Sequence, residues 1–313
     1  MLTLQVASRV DEADGIAGLV LVDPQGQSLP EWTPGAHIDV HIDRPGEGAL
    51  VRQYSLCGDP ADRSAYRIAV LREDAGGGGS RHLHERVRPG QLVRVSEPRS
   101  LFPFAVRERM VFVAGGIGIT PILPMVAAAE AAGIDWTLHY AGREPGAMAF
   151  GAHLAAFGDR VRVYVSAQGQ RMALPQIIGD AAGAAVFACG PSRLLDELET
   201  VCTDAGVDLV VERFANDNVL TSESDHAFEV ELSLTGGTLT VQPGESILDK
   251  VVAAGIPAPS SCRGGTCGTC ETFVVEGEPD HRDAVLNAKE REESEVMMIC
   301  VSRCKGARLV LEL

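Results

Sequence analysis

Ser261-Cys262-Arg263-Gly264-Gly265-Thr266-Cys267-Gly268-Thr269-Cys270 puts three cysteines in one loop, spaced C-x4-C-x2-C. A fourth, Cys300, follows after the 29 residues 271–299. This is the plant-type spacing for a [2Fe–2S] cluster. Glycines 264, 265 and 268 let the backbone wrap closely and turn N–H groups toward the cluster sulfurs. Such hydrogen bonds, with partial exposure, tune the potential. Four thiolates also suit a structural Zn²⁺. Zinc knuckles favour two C-x2-4-C pairs, however, and here three ligands share one Gly-rich loop. Cys262, Cys267, Cys270 and Cys300 are therefore expected to hold iron, and the chain to move single electrons.

Ahead of this module the sequence divides in two. Residues 1–105 read as short strands, at Leu19–Val22, His37–Ile42, Tyr66–Leu71 and Leu92–Val95. Turn signals such as Asp23-Pro24, Pro34-Gly35, Asp59-Pro60 and Pro89-Gly90 separate them. A short helix is expected around Ser80–Val87, and the run Gly76–Ser80 reads as a loop. The pattern suits a small antiparallel β-barrel. In residues 106–214, apolar strands at Met110–Ala114, Trp136–Ala141, Val161–Val165 and Ala184–Ala188 alternate with helical stretches. That means a parallel sheet covered on both faces, an α/β domain. Its first helix is expected from Pro121, with Thr120 as N-cap and Gly133 past its end. Residues 215–227 are small and polar and read as a linker. A compact α+β ferredoxin-type unit fills 228–313.

Composition narrows the function. The 313 residues carry a formal net charge of −16 and no basic stretch, so nucleic acid and anionic membranes are not expected partners. Of eight cysteines, Cys57, Cys189, Cys202 and Cys304 are scattered, which is no disulfide framework. The N-terminus lacks a basic, apolar signal sequence. Residues 110–129 are uncharged and mostly apolar, but Gly115, Gly116, Gly118, Pro121 and Pro124 would break a spanning helix. A soluble, cytoplasmic chain is expected.

Three further constellations carry chemistry. Val111-Phe-Val-Ala-Gly115-Gly116-Ile-Gly118-Ile-Thr120-Pro121 runs a strand through a Gly-rich turn into a helix, which favours a pyrophosphate. Tight helix–strand packing without a ligand would look the same. Ala184–Ser192 ends a second strand at Cys189-Gly190-Pro191, where a doubly wound sheet places its crevice; by itself Cys189 also reads as a small core residue. In Arg52-Gln53-Tyr54-Ser55, Arg52 offers a fixed cation for phosphate, Tyr54 a flat face and Ser55 a small hydroxyl. Gly79-Ser80-Arg81 offers a second phosphate cradle. His82 and His84 read as a solvated face.

Taken in order, these motifs resemble the phthalate dioxygenase reductase family, which includes vanillate O-demethylase reductases, over nearly the whole chain. That family is similar to ferredoxin–NADP reductases with a ferredoxin fused at the C-terminus. The resemblance implies an FMN barrel, an NADH domain and a [2Fe–2S] domain of β-grasp type. By position, Arg52, Tyr54 and Ser55 match its flavin motif, and Ala69 and Val70 the strand holding the ring edge. Gly79 and Ser80 match its phosphate loop. Gly115, Gly116, Gly118 and Thr120 match its nucleotide turn, with Thr120 also facing the flavin. Cys189, Gly190 and Pro191 match the turn near the nicotinamide, and Phe214 an aromatic that covers the flavin. Ser55, Thr120 and Cys189 would lie closest to the reacting atoms.

One stretch departs. Relatives preferring NADH often carry an acid after the third strand of this domain, and here the residues are Ser166-Ala167-Gln168-Gly169. Arg143 and Arg171, in neighbouring segments, could favour a 2′-phosphate instead. NADH is the expected donor. The resemblance implies a Rieske-type non-haem iron oxygenase as electron acceptor and a monomeric reductase. The alternatives are an electron-transfer subunit of another flavin and iron–sulfur dehydrogenase, a self-contained flavin reductase, or a cluster-based redox sensor.

Overall fold

The computed structural model describes residues 1–44, 48–74, 77–216 and 225–313. They form two compact units, Met1–Phe214 and Ala215–Leu313. The expected linker falls largely on 217–224, outside the described residues.

The first unit opens with a seven-stranded antiparallel sheet. Six strands run in the order Gly48–Ser55, Ala36–Arg44, Leu92–Val95, Leu2–Ala13, Ile16–Val22 and Ala65–Leu71; Arg99–Ser100 pairs with Ala36–Arg44. A bridge between Leu56 and Ile68 brings the two outer strands together, so the sheet curls toward closure. Val6, Ile38, Leu56 and Val70 fill its interior and are fully buried. Leu2–Ala13 and Gly48–Ser55 were not expected as strands. In the first, Arg9, Asp11 and Glu12 dilute the alternation. Register breaks between Val6 and Ser8, and between Asp11 and Ala13, disrupt its period of two.

A five-stranded parallel sheet follows, in the order Val161–Val165, Asp135–Gly142, Arg109–Gly115, Ala185–Cys189, Leu209–Glu212. Arg109–Gly115 alternates between its faces. Met110, Phe112 and Ala114 join the core under the helix Ile119–Ala131. Val111 and Val113 join the core under Leu174–Asp180 and Ser192–Ala205. Both faces are covered, which is why the strands read as unbroken apolar runs. Ile16, Cys57 and Ala69 of the barrel share the first of these cores, so barrel and sheet form one body.

Two local expectations need correction. The helix starts at Ile119, because a 3-10 turn at Gly116–Gly118 leads straight into it. Thr120 is therefore inside the helix, not its N-cap, and its hydroxyl donates to the Ile117 carbonyl at 2.9 Å. The other correction is at the glycine run. Helix Gly79–Arg86 begins on the last of its glycines, after Gly78 takes a left-handed φ of 81°.

The second unit is a mixed sheet in the order Thr238–Val241, Phe228–Leu232, Arg308–Leu311, Glu271–Glu276, Val296–Met298. Phe228–Leu232 and Arg308–Leu311 pair in parallel, and the other ladders are antiparallel. Helix Ile247–Ala253 packs on it, capped by the Ser246 hydroxyl accepting from the Asp249 amide. This is the expected α+β arrangement, with the cysteine loop between helix and sheet.

Candidate functional site

Strand order locates the crevice of the parallel sheet. The first strand of the domain, Arg109–Gly115, lies between its second, Asp135–Gly142, and its fourth, Ala185–Cys189. The order reverses there, and ligands of doubly wound sheets bind outside the carboxyl ends at that point. Those ends are Gly115 and Cys189. The turns after them interlock. A side chain at Gly115 would meet Pro191 Cδ at 2.6 Å and Gly190 Cα at 3.3 Å. One at Gly118 would collide with the Cys189 carbonyl and meet Gly190 N at 2.8 Å. Gly116 takes a φ of 55° and faces open space. Two motifs far apart in sequence thus form one backbone surface.

Cys189 is fully buried, and burial, then the nearby Glu212 charge, raises its thiol well above the ordinary range. It stays neutral. Glu212 sits beside it, paired in register across the parallel strands. Its Oε2 is sealed from solvent without a hydrogen-bond partner, although the residue as a whole keeps some exposure. Burial pushes this carboxyl up to about 8. Sequence reading missed Glu212; its one trace is a lone acid ending the apolar run Leu209-Val210-Val211. The native value exceeds the ~4.3 of an unfolded glutamate. The native state therefore holds more protons between those values, and stability falls as pH rises through that window. Glu212→Gln should match wild type near pH 4 and exceed it by a few kcal/mol, on the order of magnitude, at pH 8–9. Thermal unfolding across pH checks this, and identical pH slopes would refute the buried acid.

The flavin motif also assembles. The side chain of Arg52 lies where Cβ atoms at Gly77 and Gly79 would stand, within 2.6 Å of the first and 2.9 Å of the second. A side chain at Gly79 would press on the Arg52 stem, whereas one at Gly77 would displace only the tip of the guanidinium. Ser55 Oγ is buried and unpartnered, a polar atom positioned for an exogenous group. Tyr54 is half-buried, and desolvation raises its hydroxyl above the usual range. Ser80 Oγ accepts from the Glu73 amide at 3.0 Å, so it closes the loop, leaving backbone N–H groups of the helix N-terminus for an anion. Ala69 and Val70 are buried in the adjacent strand. His84 is not simply solvated: its Nε2 bonds the Val70 carbonyl at 2.8 Å. Phe214 ends the unit as an exposed aromatic, and its neighbour Arg213 pairs with Asp196 and Glu199.

Arg143 and Ser166 are exposed at the ends of neighbouring strands. The Ala167 amide donates to the Arg143 carbonyl at 3.0 Å, which joins the two segments. Arg171 is exposed as well.

In the second unit all four predicted ligands converge. Cys262 contacts Cys267 and Cys300, and Cys300 contacts Cys270. Amides of Gly264 and Thr266 donate to Cys262 Sγ at 3.3 and 3.5 Å, and the Cys262 amide to Cys267 Sγ at 3.4 Å. These contacts hold the Cys262 thiol far below its ordinary range, the two cysteines first and the amides after. Gly265 and Gly268 take left-handed φ, as does Arg263 at 54°, which the sequence did not suggest. Arg263 pairs with Asp249 at 2.8 Å and ties the loop to the helix. Among the described residues no set of three or more ligands converges on one metal ion; a two-iron cluster takes two thiolates on each iron. The donor set and its amides fit such a cluster. None of the eight cysteines is joined in a disulfide.

Comparison with known proteins agrees with this geometry. Residues 230–305 match the 2Fe-2S iron-sulfur cluster binding domain family. The chain is 40% identical to phenoxybenzoate dioxygenase subunit beta of Ectopseudomonas oleovorans, over 96% of this chain and 94% of that one. It superposes with phthalate dioxygenase reductase, a modular structure for electron transfer from pyridine nucleotides to [2Fe–2S], at a TM-score of 0.74 and 35% identity, covering 100% and 98% of the two chains. It is also similar to an intact type IV self-sufficient cytochrome P450 monooxygenase, at 42% identity and a TM-score of 0.88, where it spans only 41% of the longer chain. The interlocked glycine turns, the Arg52-Gln53-Tyr54-Ser55 strand and the four converging cysteines thus occur in one chain with near full-length relatives, and this chain belongs to the phthalate dioxygenase reductase family, as an oxidoreductase with a C-terminal [2Fe–2S] cluster binding domain.

Proposed function

We propose that this chain is the reductase component of a Rieske-type non-haem iron oxygenase system. It works in the cytoplasm as a monomer, with modules at 1–105, 106–214 and 228–313. No described helix is long and apolar enough to cross a membrane. The observation that carries the reading is the convergence of Cys262, Cys267, Cys270 and Cys300 in the same chain as a switch-point crevice and a flavin barrel. A free-standing flavin reductase has no use for these four thiols.

Bound FMN supplies the change from two-electron to one-electron chemistry, and a bound [2Fe–2S] cluster carries one electron at a time. The chain's own part is positioning and electrostatics. Arg52 and the amides at Gly79 and Ser80 hold the flavin phosphate. Tyr54 packs its face on the flavin, the orphan Ser55 hydroxyl meets a polar edge of it, and Phe214 covers it. Ala69 and Val70 line the same edge, and Thr120 closes it from the nucleotide side. The Gly115–Gly118 turn holds the pyrophosphate. Gly190 and Pro191 shape the nicotinamide end, where Cys189 and Glu212 present a neutral thiol and a protonated carboxyl. No side chain has to act as a general base. Arg143 and Ser166 meet the adenosine end, which lacks the carboxylate that would repel a 2′-phosphate.

Anaerobic stopped-flow reduction tests the reading. NADH should bleach the flavin and then the cluster, and NADPH should do so less efficiently, though by a margin narrower than in relatives with an acid at this turn. A higher kcat/KM for NADPH would mean that Arg143 or Arg171 binds phosphate. Flavin reduction that never reaches the cluster would sink the reductase assignment.

A further inference from the structure

Resting on the cluster assignment above, we propose that Asn216 is a positioning residue for the cluster, joining the three-cysteine loop to the segment that carries the fourth. Its Nδ2 donates to two backbone carbonyls, Gly264 at 2.9 Å and Arg282 at 2.7 Å. Gly264 lies two residues past Cys262. Arg282 extends the bridge: its amide donates to Ser302 Oγ at 3.2 Å, and Ser302 lies two residues past Cys300. One carboxamide and the backbone of one residue, Arg282, thus span the two halves of the thiolate set.

The surroundings hold the bridge in place. Gly265 takes a φ of 73°, and a side chain there would meet Asn216 Nδ2 at 2.8 Å, Val301 Cγ2 at 2.5 Å and Asp283 Cα at 3.1 Å. The carboxamide fills the room that a residue other than glycine would need. The Gly265 carbonyl accepts from the Ala284 amide at 2.8 Å. Asp283, fully buried, accepts from the amides of Val285 and Leu286 at 3.0 and 2.8 Å and from Ser302 Oγ at 3.4 Å. The segment facing Asn216 is therefore rigid, and the carboxamide pins the Gly264 carbonyl against a fixed wall.

The chemistry of the bridge is donation. A carboxamide offers two N–H bonds, which suits two carbonyl oxygens; an aspartate of the same shape offers only acceptors. The Gly264 carbonyl sits between the two amides, of Gly264 and Thr266, that donate to Cys262 Sγ. Releasing that carbonyl loosens both sulfur bonds. Hydrogen bonds to cluster sulfur favour the reduced, more negative state, so their loss moves the potential down.

The test uses the full-length holoprotein and its Asn216→Asp and Ser302→Ala variants. Redox titration followed by EPR reads the midpoint potential, and bleaching under excess EDTA reads cluster loss. Asn216→Asp should show a more negative potential and roughly tenfold faster bleaching, the factor expected for one to two ordinary hydrogen bonds. Ser302→Ala should shift both readouts the same way, and the double variant should fall short of the sum, because both residues act through the backbone of Arg282. If Asn216→Asp yields no soluble protein, Asn216→Ser, which keeps one donor, should fall between wild type and loss. Wild-type values for Asn216→Asp, or for Asn216→Ser where it stands in, would overturn the proposal, as would simple additivity with Ser302→Ala. Wild-type protein free of iron and sulfide would instead overturn the cluster assignment itself.

Discussion

Cys267→Ser should abolish cluster-dependent electron delivery while leaving NADH-driven flavin reduction in place. Cys267 is buried and in contact with Cys262, and its sulfur accepts the Cys262 amide. A serine hydroxyl at neutral pH is a poor ligand for iron, so the cluster should not assemble. Even partners outside the ligand shell cost about 10–100-fold in metal affinity when mutated. Reduction of cytochrome c through the cluster should therefore fall by roughly a hundredfold or more. The residues proposed for flavin and nucleotide all lie within Met1–Phe214, a compact unit of its own, so ferricyanide reduction at the flavin should continue. Cys304→Ser is the control. Cys304 is as buried as Cys267, Cys270 and Cys300, but its thiol bonds the Arg308 carbonyl at 3.4 Å. Iron and sulfide content with an EPR spectrum of the reduced protein decides the matter. A cluster retained in Cys267→Ser, or flavin reduction lost along with it, would break the assignment.

The second large effect is expected at Gly118. Its φ lies in the ordinary helical region, so alanine costs nothing in backbone conformation there. The cost is collision: the new methyl would strike the Cys189 carbonyl and the Gly190 nitrogen, and neither can swing aside as a side chain would. Overpacking of this kind costs about 1–3 kcal/mol, and the relief available is to part the two turns. Parting them opens the crevice proposed above for the nicotinamide, and small displacements there are amplified in rate. Gly118→Ala should raise KM for NADH and lower kcat together, with kcat/KM down by about a hundredfold. Gly116→Ala isolates the other possibility. That residue faces open space but has a positive φ, so alanine there pays about 1 kcal/mol of backbone strain without parting the turns. Equal kinetic losses for the two variants would show that strain, not collision, governs the site.

What could be read in the sequence was local, or carried by spacing. Cys262, Cys267, Cys270 and Cys300 converge as their spacing implied. The apolar strands read at 110–114 and 184–188 announced a sheet covered on both faces, which the structure shows at Arg109–Gly115 and Ala185–Cys189. Thr120 misled because the cap preference assumes a clean helix start, and the 3-10 turn at Gly116–Gly118 removes it. Leu2–Ala13 was hidden by its charges and by two register breaks that interrupt its alternation. Glu212 was invisible because its importance lies in the burial of one oxygen, which no pattern in its own segment encodes. Asn216 was invisible because its partners lie 48 and 66 residues away. Read alone it is one more polar residue in a loop.

The placement of Arg109–Gly115 between the second and fourth strands of its domain also dictates when the site comes into being. Pairing with Ala185–Cys189 closes a long stretch of chain, and such distant parallel pairings are slow because loop entropy is spent before any contact repays it. On the ribosome the strand bearing the glycine turn emerges well before the one bearing Cys189. Until that later strand docks, the turn has no wall and Gly118 no neighbour. Competence to bind pyridine nucleotide is therefore acquired late in folding, after the barrel strands of residues 2–100 have all been made.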